Sequence, residues 1–417
     1  MTLQVIVVGA GIGGLCAAVA LQKAGHSVKI LEKSRFAAEV GAAIVITPNG
    51  ERVLSRLGFD FKRARVDVMN VFEVLDGVSF KPLHRAKLVN ARAEYGAPFY
   101  TVHRVDLHSE LLRITSGLDL QLGARVVEAN ADQGYVILED GTRHYSDLII
   151  GADGLHSILR GAVLKDQGVP KPIPSGMGAF RFMIPTPVLQ NDPHFHALME
   201  MKGQGNSVLA DTTSETQRHM VWYTCRDGQV QNFAGVHDTF DADGDDPKAR
   251  MLRQFGHYHP GLTHLVNVAA DVTDWPLFFL DPLPSWHRGK VLLIGDAAHP
   301  MLPFGAQGAN QAIEDAGALG VLFGCNERAE DVSNRLALFE KVRRLRASRI
   351  QSLSRVRLGE EKDVEARVRQ YADPPGSDVP TTFDERLKHD YRYDVVEASM
   401  EVLAKGGRRR LARAMLS

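Results

Sequence analysis

The chain contains 417 residues, of which 44% are hydrophobic and 24% are charged. This balance is typical of a folded protein of two or three domains and excludes disordered, collagen-like and coiled-coil chains. The 49 basic side chains nearly match the 50 acidic ones, so no overall field attracts nucleic acid or an anionic membrane. Three distant cysteines without a CxxC pair favour neither a zinc site nor a disulfide framework, and we expect no metal site.

The first segment, residues 2–22, lacks charged side chains and has to be distinguished from a signal peptide or a membrane span. It has no basic n-region. Four glycines between positions 9 and 14 interrupt it, which suits a tight turn better than a lipid-facing helix. We therefore expect a cytoplasmic protein without a membrane span and without a nucleic-acid partner.

The hydrophobic pattern predicts an α/β fold. Short apolar runs that fit buried strands occupy residues 3–8, 28–31, 148–150 and 291–294. A helical stretch at 14–24 joins the first two strands into a βαβ unit, and the last two precede the loops GADG and GDAAH. Ligands bind beyond the carboxyl ends of strands in open parallel sheets. We therefore expect the glycine-rich loops after these strands to converge on one ligand.

The middle of the chain has a different composition. Prolines between 170 and 188 are followed by stretches rich in β-branched and aromatic residues, such as HMVWYTC at 219–225 and NVAADVTDW at 267–275, which predict a sheet-rich insertion. A helical pattern begins near 311, is interrupted at PPG 374–376 and resumes over 382–415. We assign residues 1–70, 96–168 and 287–345 to a discontinuous nucleotide-binding domain, 71–95 and 169–286 to a substrate domain, and 346–417 to a C-terminal helical region.

The first glycine turn carries a complete dinucleotide fingerprint. Gly9, Gly11 and Gly14 follow a strand and open a helix, and the acidic Glu32 ends the next strand. Glycines at these positions allow a tight turn and a close approach of backbone N–H groups to a pyrophosphate, which the helix N-terminus also attracts. Glu32, with Lys33 beside it, can accept hydrogen bonds from an adenosine ribose. A glycine turn without any ligand is the weaker interpretation.

Two further motifs extend this pattern. DLIIGADG at 147–154 precedes Ser157 and Arg160, and GDAAHP at 295–300 precedes PFGAQGAN at 303–310. Together with YTVHRVDL at 100–107, and in this order, they resemble the single-component FAD-dependent aromatic hydroxylases of the salicylate hydroxylase and p-hydroxybenzoate hydroxylase type, over about residues 3–345. The resemblance implies a Rossmann-like FAD-binding domain, an inserted sheet-rich substrate domain and a C-terminal helical region.

The resemblance also implies how each motif meets the cofactor. The glycine turn would hold the FAD pyrophosphate, Asp153 would serve both FAD and nicotinamide, and Asp296 would bind a ribityl hydroxyl. Segment 300–310 would pass the isoalloxazine ring, where N–H donors and a helix dipole would stabilise negative charge on the reduced flavin. Taken singly, Asp153 as a turn former and Asp296 as a helix cap are equally good interpretations. The residues assigned to the cofactor are Gly9, Gly11, Gly14, Glu32, Lys33, Arg104, Asp153, Asp296, Gly305, Gly308 and Asn310.

The sequence contains one dinucleotide fingerprint, which a bound FAD would occupy. The resemblance implies that NAD(P)H binds transiently in the same cleft, that the reduced flavin reacts with O2 to a flavin hydroperoxide, and that this species hydroxylates a phenol or an aromatic carboxylic acid. An FAD-dependent epoxidase or oxidase acting on a non-aromatic natural product is the alternative. The intact loops at Asp153 and 305–310 disfavour a non-catalytic FAD-binding protein, and the absence of a WxWxIP stretch disfavours a halogenase.

The substrate side is less clearly marked. Arg181, in GAFRF, can pair bidentately with a carboxylate or phenolate, although a surface salt bridge is an equal alternative. Tyr223 can bond to a substrate hydroxyl or simply pack in a strand, and Pro300 completes the predicted catalytic set. No histidine stands out as a base, and Thr47 occupies a position where some relatives carry histidine, which argues against a histidine-based scheme. The expected partners are a small aromatic substrate and O2, and a homodimer stays open.

Three other segments have alternative interpretations. The apolar stretch around Phe278 and Phe279 fits a pocket wall or, better, a core strand. Seven basic residues between Lys341 and Arg357, and five between Lys405 and Arg413, occur without an acidic residue among them. A solvated helix face or a subunit contact is the default interpretation of these basic segments, and attraction of anionic NADPH or substrate is the sharper one.

Overall fold

The computed structural model describes residues 2–35, 42–165, 167–203, 205–213, 218–238, 244, 246–324 and 331–414, with side chains of the last helix described as far as residue 405. The strands are β1 Gln4–Val8, β2 Ser27–Glu32, β3 Ala43–Ile46, β4 Asp67–Val68, β5 Val71–Asp76, β6 Pro82–Lys87, β7 Tyr100–His103, β8 Asp119–Leu122, β9 Val126–Asn130, β10 Tyr135–Leu138, β11 Arg143–Tyr145, β12 Leu148–Gly151, β13 Ile173–Pro185, β14 Gly205–Ala210, β15 His219–Cys225, β16 Val230–His237, β17 Thr273–Phe279, β18 His287–Arg288 and β19 Val291–Leu293. The helices are α1 Ile12–Lys23, α2 Pro48–Leu57, α3 Ala91–Tyr95, α4 Arg104–Ile114, α5 Leu159–Val163, α6 Pro193–Met201, α7 Pro247–Phe255, α8 Pro260–Val268, α9 Gly308–Leu322, α10 Val332–Leu353, α11 Glu365–Arg369, α12 Phe383–Tyr391 and α13 Val395–Ala414.

A six-stranded sheet, ordered β18-β19-β12-β1-β2-β8, forms the centre of the first domain. Strand β1 pairs in parallel with β2 on one side and β12 on the other. The central strands are apolar along nearly their whole length, which is typical of parallel strands covered on both faces. Helix α1 packs closely against α9, since a Cβ at Gly13 would lie 3.1 Å from the Ala312 side chain. The predicted α/β fold and its N-terminal βαβ unit are confirmed.

A second sheet has seven strands in the order β17-β13-β16-β15-β14-β5-β6. Its strands come from residues 71–87 and 173–279. Alternation along the strands gives it two faces. The outer face packs against α6, α7 and α8 through a core that includes Phe180, Trp222 and Phe233. The inner face, which carries Ala179, Tyr223 and the residues in register with them, packs against segments of the first domain.

The inner face is fastened to strand β3 through one residue. The backbone N–H of Ala43 donates to Asn232 Oδ1 at 3.0 Å, and the Ala43 carbonyl accepts from the Tyr223 hydroxyl at 2.7 Å. Asn232 and Tyr223 are opposite each other on neighbouring strands β16 and β15. The contact therefore fixes the distance between the seven-stranded sheet and the nucleotide-binding domain at the point where β3 begins. The predicted domain boundaries stay a prediction.

The basic segment of α10 proves to be largely buried, which corrects the expectation of a solvated face. Arg343 and Arg346 are almost inaccessible to solvent and form ion pairs with Glu314 and Asp315 of α9. These charges hold two helices together and do not form an open basic surface. The second basic segment, Lys405 to Arg413, lies almost wholly outside the described side chains.

Two predicted elements differ from the structure. NVAADVTDW begins in α8 and only its end belongs to β17. The helix forms because Pro260 stands at its first turn, His259 Nδ1 accepts from Gly261 N–H, and its buried apolar residues follow a helical period. The helical stretch 382–415 is divided into α12 and α13, because the Asp394 side chain caps the second helix through Val396 N–H at 2.8 Å.

Strand β17, which carries Phe278 and Phe279, lies at the edge of the seven-stranded sheet. Leu277 packs with Phe304 and Leu302 of segment 300–310, whereas Trp275 is 49% exposed. The stretch is an edge strand that packs one side against segment 300–310, and its interpretation as a pocket wall stays a prediction. Across the described ranges, no helix has the length and the low charge that crossing a membrane requires. Location in the cytoplasm and a homodimer stay predictions.

Candidate active site

The first glycine turn is built by two close backbone contacts. A Cβ on Gly14 would overlap the Gly9 carbonyl oxygen, and a Cβ on Gly9 would overlap the Ala152 carbonyl oxygen. Gly9 also has φ +105°, which disfavours any residue with a side chain. Gly11, at the N-cap of α1, has no other atom within 4 Å of its Cβ position. The outer glycines therefore bring the chain together, and the middle glycine leaves an open space at a helix N-terminus.

Glu32 closes this turn from the neighbouring strand. Its Oε2 accepts from Ala10 N–H at 2.7 Å and its Oε1 accepts from Ser34 N–H at 2.8 Å. Each carboxylate oxygen has a second lone pair, so the half-buried group can still accept hydroxyl donors. His108, which the motifs did not single out, donates from Nε2 to the Ala10 carbonyl at 2.8 Å. Lys33 is exposed beside the turn.

The loops that follow β1, β12 and β19 lie side by side, as their strand order requires. Gly9 N–H donates to Leu31 O at 2.8 Å, Ala152 N–H to Val8 O at 2.9 Å and Ile294 N–H to Gly151 O at 3.0 Å. Each loop therefore begins at the last backbone hydrogen bond between its own strand and the neighbouring strand. The expected convergence of the glycine-rich loops is present at the carboxyl edge of the sheet.

Arg160 joins the second loop to the third. Its guanidinium donates to the carbonyl oxygens of Ala297, Asp296 and Leu155, each at 3.0 Å. The side chain is buried, so these three bonds also satisfy a charge that has left water. The sequence placed Arg160 near the second motif, but the contact that matters is 136 positions away in the chain. Its structural role is to orient the backbone of Asp296.

Asp153 uses its carboxylate within the protein. Its Oδ2 accepts from Ile158 N–H at 2.7 Å and Leu159 N–H at 3.2 Å, and its Oδ1 accepts from the Ser157 hydroxyl at 2.6 Å. These contacts match the interpretation of Asp153 as a turn and helix-capping residue. A role of the same carboxylate toward FAD or nicotinamide stays a prediction.

Asp296 has the environment of a ligand-facing acid. Its side chain is exposed, although Gly295 and Ala297 on either side are buried. Burial raises the pKa of Asp296, while the positive charges of His299, Arg104 and Arg160 oppose the rise. Asp296 therefore presents an accessible carboxylate at the carboxyl edge of the sheet, beside the loops already described, where it could accept hydrogen bonds from a ligand.

Arg104 connects the cofactor side to the substrate side. It opens α4, and its N–H donates to the Ala42 carbonyl at 3.2 Å. Its positive charge lowers the pKa values of both Asp296 and Arg181. The guanidinium is therefore within electrostatic range of both side chains. This placement is compatible with the predicted position of Arg104 along the cofactor.

Segment 300–310 is fixed by side chains that the resemblance had assigned to the cofactor. The Asn310 side chain is fully buried, with Oδ1 accepting from Thr47 N–H at 3.0 Å and Nδ2 donating to Val45 O and Ala306 O at 3.0 and 2.7 Å. These bonds engage both ends of the Asn310 side chain within the protein, and its predicted contact with FAD stays a prediction. Asn310 fastens the loop to strand β3.

Gly305 is small because of a residue from the C-terminal region. A Cβ at Gly305 would lie 2.6 Å from an Nη of Arg386. That guanidinium is buried and donates to the Phe304 carbonyl at 3.3 Å and to Glu361 at 3.3 Å. Because these bonds hold it in place, it cannot easily make room for a side chain at position 305. Gly308 begins α9, and the nearest atom to its Cβ position is on the Met301 side chain at 3.8 Å, an ordinary contact. The Pro300 carbonyl accepts from Gln351 Nε2 at 2.9 Å, and no described contact gives Pro300 a catalytic role.

The substrate side is marked by Arg181. Phe180 and Phe182 belong to the outer core, so Arg181 projects from the inner face. Burial lowers the pKa of Arg181, and the charge of Arg104 lowers it further. Among the described residues, no carboxylate lies within ion-pair distance of its guanidinium. A poorly hydrated cation without an acidic partner is suited to an anionic ligand.

Tyr223 is a weaker candidate than the sequence suggested. Its single hydroxyl proton is donated to Ala43 O at 2.7 Å, and burial raises its pKa well above the usual range. Tyr223 therefore cannot donate to a substrate hydroxyl without breaking the hydrogen bond that joins the seven-stranded sheet to strand β3. The structure shows a docking role for the Tyr223 hydroxyl, and its predicted contact with a substrate hydroxyl stays a prediction. Thr47 is also buried, and Gln307 Nε2 donates to its hydroxyl at 3.2 Å.

Part of the inner face is incompletely covered. Several of its residues are only half-buried although the face is turned toward the first domain. We define the inner-face pocket by these half-buried residues, which are Phe72, Val74, Arg181, Val208, Val221 and Ala234. Apart from Arg181 its lining is apolar, which favours an aromatic ring with one charged end.

Comparison with known proteins gives this arrangement a family. A family described as FAD binding domain matches residues 2–354. The chain belongs to this family. The flavoprotein is 34% identical over 367 residues to hispidin-3-hydroxylase of Neonothopanus nambi, covering 83% of this chain and 86% of that protein. It is 32% identical over 367 residues to 3-amino-4-hydroxybenzoate 2-monooxygenase of Streptomyces cremeus, covering 86% and 87%. It matches a salicylate hydroxylase substrate complex with TM-score 0.75 and 25% identity, covering 96% and 97%.

The flavoprotein is therefore an FAD-dependent monooxygenase, and NAD(P)H is the usual co-substrate of its family. The described residues fit FAD on structural grounds. The turn around Gly11 leaves open space at a helix N-terminus, and the carboxylate of Asp296 is accessible at the same edge of the sheet. Glu32 retains lone pairs for ribose hydroxyls. The predicted family, fold and cofactor are confirmed, whereas the contacts of individual residues with FAD stay predictions.

Proposed function

We propose that the protein hydroxylates a small, electron-rich aromatic ring that carries a phenolate or carboxylate, consuming NAD(P)H and O2. The observation that carries the proposal is the half-buried Arg181, which faces an apolar pocket and has no acidic partner among the described residues. The relatives named for hispidin and 3-amino-4-hydroxybenzoate support an oxygenated ring as substrate. The positive charge of Arg181 complements the negative charge of a phenolate or carboxylate on such a ring.

Arg181 would bind the anionic oxygen and orient the ring. Because its guanidinium is poorly hydrated, its interaction with an anion is stronger than the same pair in water. It would also favour the phenolate form of a phenol, which makes the ring more electron-rich. The apolar neighbours Val208, Val221 and Ala234 would exclude water from the ring.

The protein would hold FAD at the edge of the six-stranded sheet. The turn around Gly11 would take the pyrophosphate, Glu32 the adenosine ribose and Asp296 a ribityl hydroxyl. When bound, FAD supplies electron transfer from NAD(P)H and activation of O2. The buried side chains of Asn310 and Arg160 keep segment 300–310 and the Asp296 backbone in place during this chemistry.

The test is a screen of the purified yellow protein against phenols and aromatic acids. We expect at least one compound to stimulate NAD(P)H oxidation and to yield a product that is heavier by one oxygen atom. Stimulation without oxygen incorporation would contradict hydroxylation and indicate an oxidase.

Arg181→Met tests the anion-binding role within the same assay. Loss of one buried charge-assisted pair costs about 2–3 kcal/mol, so the half-saturating concentration of the aromatic acid should rise about 30–150-fold while bound FAD is unchanged. The matched control is Arg143→Met, because Arg143 is exposed on β11. An unchanged half-saturating concentration in Arg181→Met would refute the role.

A further inference from the structure

Asn206 carries a buried amide whose hydrogen-bonding capacity is unused. The residue is 8% exposed, and its Oδ1 is shielded from solvent without a hydrogen-bond partner. Its Nδ2 also has no partner among the described residues. An unsatisfied buried amide destabilises a folded protein, and asparagine is a poor strand residue. Asn206 therefore has a cost that the fold alone does not explain.

The strand register places this amide on the inner face. Ser207 is opposite Trp222, and Leu209 and Trp222 both belong to the outer core. Because side chains alternate, Asn206 is on the same face as Tyr223 and the half-buried Val208. In the neighbouring strand on the other side it is in register with Phe72. Phe72 and Val208 are both residues of the inner-face pocket, so Asn206 borders that pocket.

Asn232 shows what a structural asparagine on the same face does. Its Oδ1 accepts from Ala43 N–H, which fastens the sheet to strand β3. Its replacement would release a buried backbone donor. Asn206 makes no equivalent contact with the protein, although it lies only two strands away. Asn232 Nδ2 is also buried without a partner, so the two residues differ in the amide oxygen. That oxygen is used for docking in Asn232 and has no partner in Asn206.

We propose that Asn206 is a specificity-determining residue that hydrogen-bonds to a neutral polar group of the substrate, such as a hydroxyl, a carbonyl or a ring N–H. The inference rests on the proposed function and deepens it. Strands β16 and β15 separate Arg181 from Asn206, and the register places Arg181 in line with Val208, two residues from Asn206. The backbone separation is therefore about 16 Å. Because the arginine side chain is long, the distance from the Arg181 guanidinium to the Asn206 amide can be shorter than the distance between their backbones. The substrate therefore has two polar ends, with its anionic oxygen at Arg181 and its neutral group at Asn206.

The test compares Asn206→Leu and Asn206→Ala with the matched variant Asn232→Leu. In FAD-loaded protein without substrate, Asn206→Leu should raise Tm by about 2 °C, since it removes an unsatisfied amide without creating a large cavity. Asn232→Leu should lower Tm, because Ala43 N–H loses its acceptor. With the phenol or aromatic acid that best stimulates the wild type, both Asn206 variants should raise the half-saturating concentration at least about tenfold. Their bound FAD should match the wild type.

The substrate analogue that lacks the neutral polar group provides the second readout. It should bind the wild type and Asn206→Leu equally, since the amide has nothing to contact. The inference is overturned if the Asn206 variants keep the wild-type half-saturating concentration, or if Asn206→Leu lowers Tm as Asn232→Leu does. If no aromatic compound stimulates the wild type, the proposed function itself fails. That result is distinct from a stimulated wild type with unaffected variants.

Discussion

Gly14 is the residue at which helix α1 passes closest to the glycine turn. A side chain there would overlap the Gly9 carbonyl and approach the Ala152 side chain to 3.3 Å. We predict that Gly14→Val forces the turn and the helix apart and yields protein without FAD. The measurement is flavin absorbance relative to protein absorbance after gel filtration. The control is Gly161→Ala, because the nearest atom to a Cβ at that position would belong to the Val169 side chain, at 4.0 Å.

Gly11 offers a sharper version of the same experiment. Because no atom of the chain lies near its Cβ position, Gly11→Ala should fold with a Tm close to that of the wild-type apoprotein. The new methyl group would still occupy the space at the helix N-terminus that the pyrophosphate needs. We predict at least a tenfold weaker FAD affinity, measured by flavin fluorescence during titration of the apoprotein. Unchanged affinity would show that the pyrophosphate binds elsewhere.

The motif residues show how far the sequence predicts individual contacts. Gly9 and Gly14 could be assigned correctly, because a backbone crossing demands glycine whatever surrounds it. Gly305 could not, because its size is set by Arg386, 81 positions later. Asn310 and Tyr223 were expected to contact ligands, yet both bond to the protein backbone. A motif indicates that a residue is fixed, but its partner depends on distant segments.

Helix α12 is the element that joins the C-terminal region to the site. Leu387 and Tyr391 pack in the same cluster as Tyr223, while Phe383 stacks on Phe72 with ring centroids 5.8 Å apart. Arg386, from the same helix, donates to the Phe304 carbonyl. The helix therefore contacts the substrate sheet and segment 300–310 together. A helical pattern from residue 382 was predictable, but its partners were not, because they come from elements far away in sequence.

We predict that Arg386→Lys loosens segment 300–310. Lysine keeps the charge beside Glu361 but cannot reach several acceptors with a planar fork. We expect a loss of about 1–3 kcal/mol in the free energy of unfolding, together with faster amide hydrogen exchange over residues 302–308. Arg367→Lys is the control, since Arg367 forms an exposed pair with Asp281 that contributes little. Equal exchange in both variants would rule out a positioning role for Arg386.

At the scale of the whole molecule, a buried ion cluster holds the domain together from within. Glu314 pairs with Arg343 and Arg346, and Asn49 Nδ2 donates to Glu314 at 2.6 Å. Asp315 accepts from Gly295 N–H at 2.9 Å and pairs with Arg343. The cluster thus links helices α2, α9 and α10 to the loop that carries Asp296. Hydrophobic periodicity could predict the sheet and its first helices, but it carries no information about which charges become buried partners.

This cluster should make stability depend on pH in a defined range. Burial alone would raise the pKa of Glu314, but Arg346 and Arg343 hold it at about 2, below the ordinary value of 4.5. A folded-state pKa below the unfolded one contributes stability above about pH 4.5, and the contribution is lost as the pH falls toward 2. The shift corresponds to about 3 kcal/mol. Replacement of Glu314 by glutamine removes this contribution and leaves two buried arginines short of a partner.

We therefore predict that Glu314→Gln is less stable than the wild type by about 3 kcal/mol or more at pH 7, and that the difference shrinks as the pH falls from 5 to 3. Urea unfolding midpoints at each pH measure the difference. Glu139→Gln is the control, because Glu139 is exposed and 3.8 Å from Arg125, so its curve should follow the wild type. A gap that stays constant from pH 7 to pH 3 would mean that the Glu314 charge does not stabilise the fold, and that the buried arginines are satisfied by the neighbouring amides and Asp315 instead.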